Sequence, residues 1–386
     1  MKRINHLDGL RGVAALMVVF SHTMFMFYPA SQLGDPAVSH SRYDLFLSKT
    51  IFNIVYNGNF AVCIFFVLSG FVLSNSFFKI KDTRTLVSSS VRRFPRLYLP
   101  AAVSIMLAYL LMKFHMFGNL DMSKISLSAW LGGYYNFTPS FGEAFQNTFQ
   151  SFFTLTYSNY YNVALWTIYY EFTGSFLVFS FLAIFGLVKK RWIIYTILII
   201  IFWNSYYLEF LFGMILSDLR SNHSAFEKYN TTLNKSIILI LALVFGSFPY
   251  QESTNALSGT FYQHLKFPFL NLLNVDYYLF YHFLAAVLIV LFFLYSKNAQ
   301  KTFSSLPFIF LGNISFSIYL IHIPVLFSVA PPIFTRLVES VNYSVAFTIS
   351  FGISFIFLVV CAYAYYRLVD NPGVKFSKYL YKRLFD

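Results

Sequence analysis

Residues 7–22 read Leu-Asp-Gly-Leu-Arg-Gly-Val-Ala-Ala-Leu-Met-Val-Val-Phe-Ser-His. After Arg11 no side chain is charged until His22, and the apolar run continues through Phe25, Met26, Phe27 and Tyr28. A bilayer core of about 30 Å needs about 20 mostly apolar residues in a helix, so 12–28 reads as a first membrane span. Lys2 and Arg3 imitate the basic start of a secretory leader. A polar His22 in mid-run, with no small-residue cleavage pattern after it, predicts a retained helix instead.

The same arithmetic extends along the chain. Apolar segments recur at 51–73, 97–113, 165–187, 192–204, 205–217, 236–248, 274–295, 306–329 and 343–365, which predicts ten spans. Asn204 and Ser205 mark a turn inside one long apolar stretch, and the segments at 192–204, 205–217 and 236–248 are short for a crossing. Composition agrees: 58% of the 386 residues are hydrophobic and 11% charged, against about 25% charged in soluble domains. A disordered chain and a soluble enzyme are both excluded on this ground. Cys63 and Cys361 sit inside apolar runs and read as small core residues, not as a disulfide.

The net charge of +13 is explained by topology. With an inner N-terminus, 22 of the 28 Lys and Arg fall in inner loops and 6 in outer ones. That split places both termini in the cytoplasm, and no nucleic-acid partner is needed. The outer stretch 114–164, rich in aromatic and amide residues, reads as a functional cap or an interfacial aromatic belt. About twenty residues follow the last span, five of them Lys or Arg, so the expectation is one transmembrane domain over 1–386 without an attached soluble domain. The fold class is all-α, a polytopic integral membrane helical bundle.

Ionisable groups inside spans are costly and mark candidate sites. These are His22, Glu171, His282 and His322, with Arg11 at the mouth of the first span. Arg11 and His22 are eleven residues apart, which is three turns plus about 20°, so both lie on one helix face about 16 Å apart. A fixed cation that can grip a phosphate or carboxylate thus shares a stripe with a potential general base. An equally simple reading makes Arg11 a snorkelling anchor and His22 a hydrogen bond between packed helices. Trp166 and Glu171 are five residues apart, about 140° around the helix, so they do not share a face.

Six short motifs in order then resemble the membrane acyltransferase 3 family. They are the Arg11-to-His22 opening, Phe65-Phe66-Val67-Leu68-Ser69-Gly70-Phe71, Arg93-Phe94-Pro95-Arg96, Leu165-Trp166-Thr167-Ile168-Tyr169-Tyr170-Glu171, Ser315 to Pro324 with His322, and a partial match at Asp370-Asn371-Pro372. The resemblance runs across about 7–372, with only hydropathy matching in roughly 190–300. It implies about ten spans and transfer of an acyl group, most often acetyl from acetyl-CoA, to carbohydrate hydroxyls at the bacterial inner membrane. O-antigen, capsule and exopolysaccharide are acceptors of that kind, free or as lipid-linked glycans. Acetyl versus succinyl, and the oligomeric state, stay open.

Within that resemblance His22 and Arg11 form the essential pair. His22 would act as base or as acyl carrier. Arg11 would orient or bind the donor. Arg93 and Arg96, i and i+3 at the cytoplasmic edge, would clamp CoA phosphates. Glu171 and His322 would lie nearer the outer face. They would bind the sugar, or Glu171 would orient a histidine. Trp166 would stack on the acceptor or serve as a belt residue. Ser69 and Gly70 read as close helix packing. His282 has no motif behind it. No metal is expected, because no His/Cys cluster has ligand spacing, and no permanently bound cofactor, acyl-CoA being a substrate. The competing class is a proton-coupled transporter or glycan flippase, which also buries a few ionisable groups.

Overall fold

The computed structural model describes residues 4–156, 160–222, 231–250, 257–267, 271 and 274–385. Among the described residues every regular element is helical. The principal helices are α1 (Asn5–Phe27), α2 (Gly58–Ile80), α3 (Arg84–Lys113), α4 (Phe141–Phe153), α5 (Trp166–Phe185), α6 (Trp192–Ile201), α7 (Tyr207–Asn222), α8 (Thr232–Gly246), α9 (Tyr277–Tyr295), α10 (Leu306–Leu337), α11 (Tyr343–Tyr365) and α12 (Asn371–Phe385). Seven helices are long and apolar enough to cross a membrane: α1, α2, α3, α5, α9, α10, and the run formed by α11 and α12. The other three expected spans are present as the shorter helices α6, α7 and α8. α6 has 10 residues, about 15 Å of rise, which is half a bilayer core.

Two boundaries move for local reasons. The expected span 51–73 begins at Gly58, because Ile51–Tyr56 forms a separate 3-10 helix and Asn57 caps α2, accepting from Phe60 N at 3.1 Å. The expected span 97–113 extends back to Arg84, so Arg93 and Arg96 stand within a 30-residue helix instead of at its edge.

α1 and α10 run parallel and in register. Gly12 meets Gly312, where an added Cβ on Gly312 would collide with the Asp8 carbonyl oxygen. Higher on the same pair His22 meets His322, and Phe27 meets Phe334 at 5.0 Å between rings. Gly70 of α2 likewise sits against the Phe210 backbone of α7, where a Cβ would collide with the carbonyl oxygen. Small residues thus let backbones touch, as the Ser69-Gly70 reading expects for Gly70.

α4 lies within the stretch read as an outer cap, but it descends along α3. Phe141 packs on Tyr109, Phe149 on Tyr98 and Phe152 on Phe94. Its exposed ridge is Phe141, Phe145, Phe149 and Phe153, while Asn147, Thr148 and Ser151 are buried. Polar residues inward and a phenylalanine ridge outward suit a helix whose solvent is lipid. Ile4, near the start of the described chain, and Lys378, near its end, line one cavity.

Candidate active site

The cavity has a volume of about 610 Å³. Its walls come from α1, α2, α3, α5, α10 and α12, and along α2 it reaches from Asn75 to Val62. Thirteen residues of helix make that about 20 Å. Five cationic side chains line it (Arg11, Arg92, Arg93, Arg96 and Lys378) and three acidic ones (Asp8, Glu171 and Asp370).

The structure brings Arg11, Arg93, Arg96 and Glu171 together on this cavity. Arg11 Nη1 donates to Asp8 Oδ1 at 3.0 Å. Arg93 pairs with Glu171 through a short contact of Nη2 with Oε1, and the same nitrogen reaches the Glu171 carbonyl at 3.2 Å. Ser69 Oγ donates to Glu171 Oε1 at 2.7 Å. This corrects the expected depth order: Glu171 stands at the level of Arg93, on the side of the chain ends, not nearer the far face. It also gives Ser69 a polar partner beyond packing. The reason is geometric, since α5 starts below the end of the bundle. Asn162, just before it, donates to Ser104 Oγ and the Leu320 carbonyl inside the helical core.

The two arginines of the Arg93–Arg96 motif therefore differ. Arg93 is 7% exposed and committed to Glu171, whereas Arg96 opens to the cavity and makes no hydrogen bond or salt bridge among the described residues.

His22 lies beyond the cavity's far end. Val62, at that end, is one turn from Gly58, which packs against Ser21 beside His22. His22 Nδ1 is 2.8 Å from His322 Nε2, and His322 Nδ1 is 2.7 Å from the Tyr319 carbonyl. The carbonyl can only accept, so His322 Nδ1 carries a hydrogen. With both rings neutral, His322 Nε2 accepts from His22 Nδ1–H, and the free lone pair of His22 is on Nε2. Tyr319 links the two regions: it lines the cavity, its carbonyl orients His322, and its hydroxyl donates to the Ala164 carbonyl at 2.8 Å. Phe65 packs on it at 5.8 Å.

The tryptophan at His22 is Trp130, from the short helix Ala129–Gly132, with its ring stacked at 5.1 Å and 8°. Trp166 is elsewhere, packed on Tyr206 at 5.2 Å, on a face of α5 away from Glu171 as the five-residue spacing requires. In the sequence Trp130 shows only as an aromatic residue in the 114–164 stretch. Asp370 and Lys378 also line the cavity, and the sequence reading assigns neither of them a role there. His282 is tied into a separate buried network. Its Nδ1 meets Asn59 Nδ2 at 2.9 Å and its Nε2 meets the Phe248 carbonyl at 3.0 Å, which fixes two helices to each other. No group of three or more metal-ligating side chains occurs among the described residues.

A half-buried histidine with an oriented tautomer thus stands beyond one end of a cationic cavity. The chain belongs to an acyltransferase family, whose acyltransferase-domain profile matches residues 4–367. It is a multi-pass membrane acyltransferase. Similar proteins include O-acetyltransferase PaAT-1 of Phomopsis amygdali, 24% identical over 98% of this chain and 84% of the relative. Acyltransferase clz18 of Cochliobolus lunatus is 25% identical over 98% and 95%, and acyltransferase R4 of a Phoma species is 23% identical over 98% and 95%. No solved structure matches. These relatives are fungal, so the bacterial envelope suggested by the motif resemblance has no support from them.

Proposed function

We propose that the protein transfers an acyl group, acetyl first among candidates, from acyl-CoA to a hydroxyl of a carbohydrate or similar polyol, with His22 as general base. The observation that carries this reading is the His22–His322–Tyr319 carbonyl chain above a cavity lined with arginine. CoA enters from the end holding both chain termini, taken as cytoplasmic from the distribution of Lys and Arg. Its phosphates meet Arg96 and Arg11, and its thioester arm follows the length of the cavity toward Tyr319 and Phe65. The acceptor approaches from the far end, against Trp130.

The bond changes balance. His22 Nε2 takes the hydroxyl proton as the acceptor oxygen attacks the thioester carbonyl. The tetrahedral intermediate collapses and the carbon–sulfur bond breaks. The leaving thiolate then recovers the proton from His22, giving an ester and CoA thiol. His322 stabilises the transient imidazolium because the hydrogen bond to it strengthens with charge. Arg93 and Glu171 neutralise each other and shape the channel.

A transporter reading is not favoured, because it gives the fixed tautomer at His22 no task. The test is CoA release from acetyl-CoA by purified protein with a panel of polyol and glycan acceptors. Release by wild type that His22→Ala removes supports the proposal. Release that survives His22→Ala overturns the role of His22, and acceptor uptake into vesicles without CoA release overturns acyl transfer.

A further inference from the structure

The cavity wall is not closed by the family-matched region alone. The match ends at residue 367, yet Asp370, Asn371, Val374 and Lys378 line the cavity. A π-helical turn over Tyr366–Asp370 joins α11 to α12. Such turns re-aim side chains and recur at functional sites. Here the turn leaves Asp370 8% exposed on the cavity wall, where its charge acts on Arg96.

α12 then seats on α3. Gly373 and Ser377 are buried, and Gly373 faces Pro100, to which an added Cβ would approach within 3.7 Å. Asn371, Val374 and Lys378 follow i, i+3, i+7 spacing and fall within an arc of about 60° turned to the cavity. Lys375 and Lys382, also on this helix and exposed as Lys378 is, do not line it. Like Arg96, Lys378 makes no hydrogen bond or salt bridge among the described residues. Two helices thus present to one cavity two cations that make no hydrogen bond or salt bridge among the described residues, with Arg92 beside them.

We infer that α12 is part of the donor site and that Lys378, together with Arg96, holds a phosphate group of the acyl-CoA. This rests on the donor reading given above. An ammonium and a guanidinium lining one cavity, neither hydrogen-bonded among the described residues, suit a phosphate, which can accept hydrogen bonds from both at once. Asp370 lies on the same wall, and its charge acts on Arg96.

The test is equilibrium binding of CoA to the full chain in phosphatidylcholine nanodiscs, where no anionic headgroup competes. Lys378→Gln is expected to weaken binding about ten- to hundredfold, the value of a lost charge-assisted hydrogen bond. Lys378→Arg should stay within about threefold of wild type, because it keeps the charge and donors. Lys382→Gln removes the same charge outside the cavity and should shift binding less than about twofold. Wild-type binding with Lys378→Gln no weaker than Lys382→Gln overturns the inference and leaves the donor reading standing. Equal weakening by both assigns the effect to general electrostatics and also overturns it. An effect of Lys378→Gln seen only when phosphatidylglycerol is added assigns the cation to lipid headgroups and overturns it too. No CoA binding by wild type overturns the donor reading and this inference with it.

Discussion

At the scale of single residues, His22 depends on His322 for its tautomer, and His322 depends on a main-chain carbonyl for its own. Removing the second histidine leaves the His22 ring stacked on Trp130 but takes away the partner that fixes which nitrogen holds its hydrogen. His322→Ala should therefore lower kcat about 10²- to 10³-fold with CoA affinity unchanged, measured by steady-state release of CoA beside equilibrium binding. Equal loss in kcat and in CoA binding would contradict a positioning role. The Arg93–Glu171 pair makes a different claim. Glu171→Ala leaves a 7% exposed guanidinium without its carboxylate, which should destabilise by about 3–5 kcal/mol. Arg93→Met combined with Glu171→Gln should recover much of that, read as thermal unfolding in detergent. A double variant no more stable than Glu171→Ala would show that the pair is not the cause.

At the scale of elements, the α1–α10 contact sets the distance between the two histidines. Gly12 and Gly312 let the backbones meet, and a side chain there has no room. Gly312→Leu should push α10 from α1, separate His22 from His322, and either abolish transfer or prevent folding. Gly352→Leu, at a position with open space around it, is the matched control and should leave unfolding and transfer unchanged. α4 carries its own prediction. Phe145 is 53% exposed on the ridge away from the bundle. If lipid covers that ridge, Phe145→Lys should destabilise by about 2–3 kcal/mol in a bilayer, whereas Phe145→Leu should be nearly neutral. Comparable stability of the two in nanodiscs would place α4 in water.

At the scale of the whole molecule, Ile4 near the start and Lys378 near the end line one cavity, and the distribution of Lys and Arg predicts that this side is cytoplasmic. Among the described residues seven helices are long and apolar enough to cross a membrane, and α6, α7 and α8 are shorter. With Cys63 and Cys361 replaced by Ala, a membrane-impermeant thiol reagent should label Asp121→Cys in intact cells. Lys382→Cys should be labelled only after permeabilisation. Labelling of both from outside would overturn the cytoplasmic placement of the tail.

The class of fold and the family were legible from local information. Helical apolar runs, the Lys and Arg distribution and short ordered motifs depend on residues within a turn or two of each other, and the membrane leaves few alternatives to a helix. The separate faces of Trp166 and Glu171 and the shared face of Arg11 and His22 follow from the helical repeat in the same way. Which residues meet across the chain was decided by packing. His22 and His322 are 300 positions apart, Arg93 and Glu171 are 78 apart, and Trp130 arrives from a short helix with no motif. The level of Glu171 depended on how far α5 starts inside the bundle, and the reach of Lys378 into the cavity on how α12 seats against Pro100. Such distances are set by the summed fit of many side chains between helices, which no local pattern records.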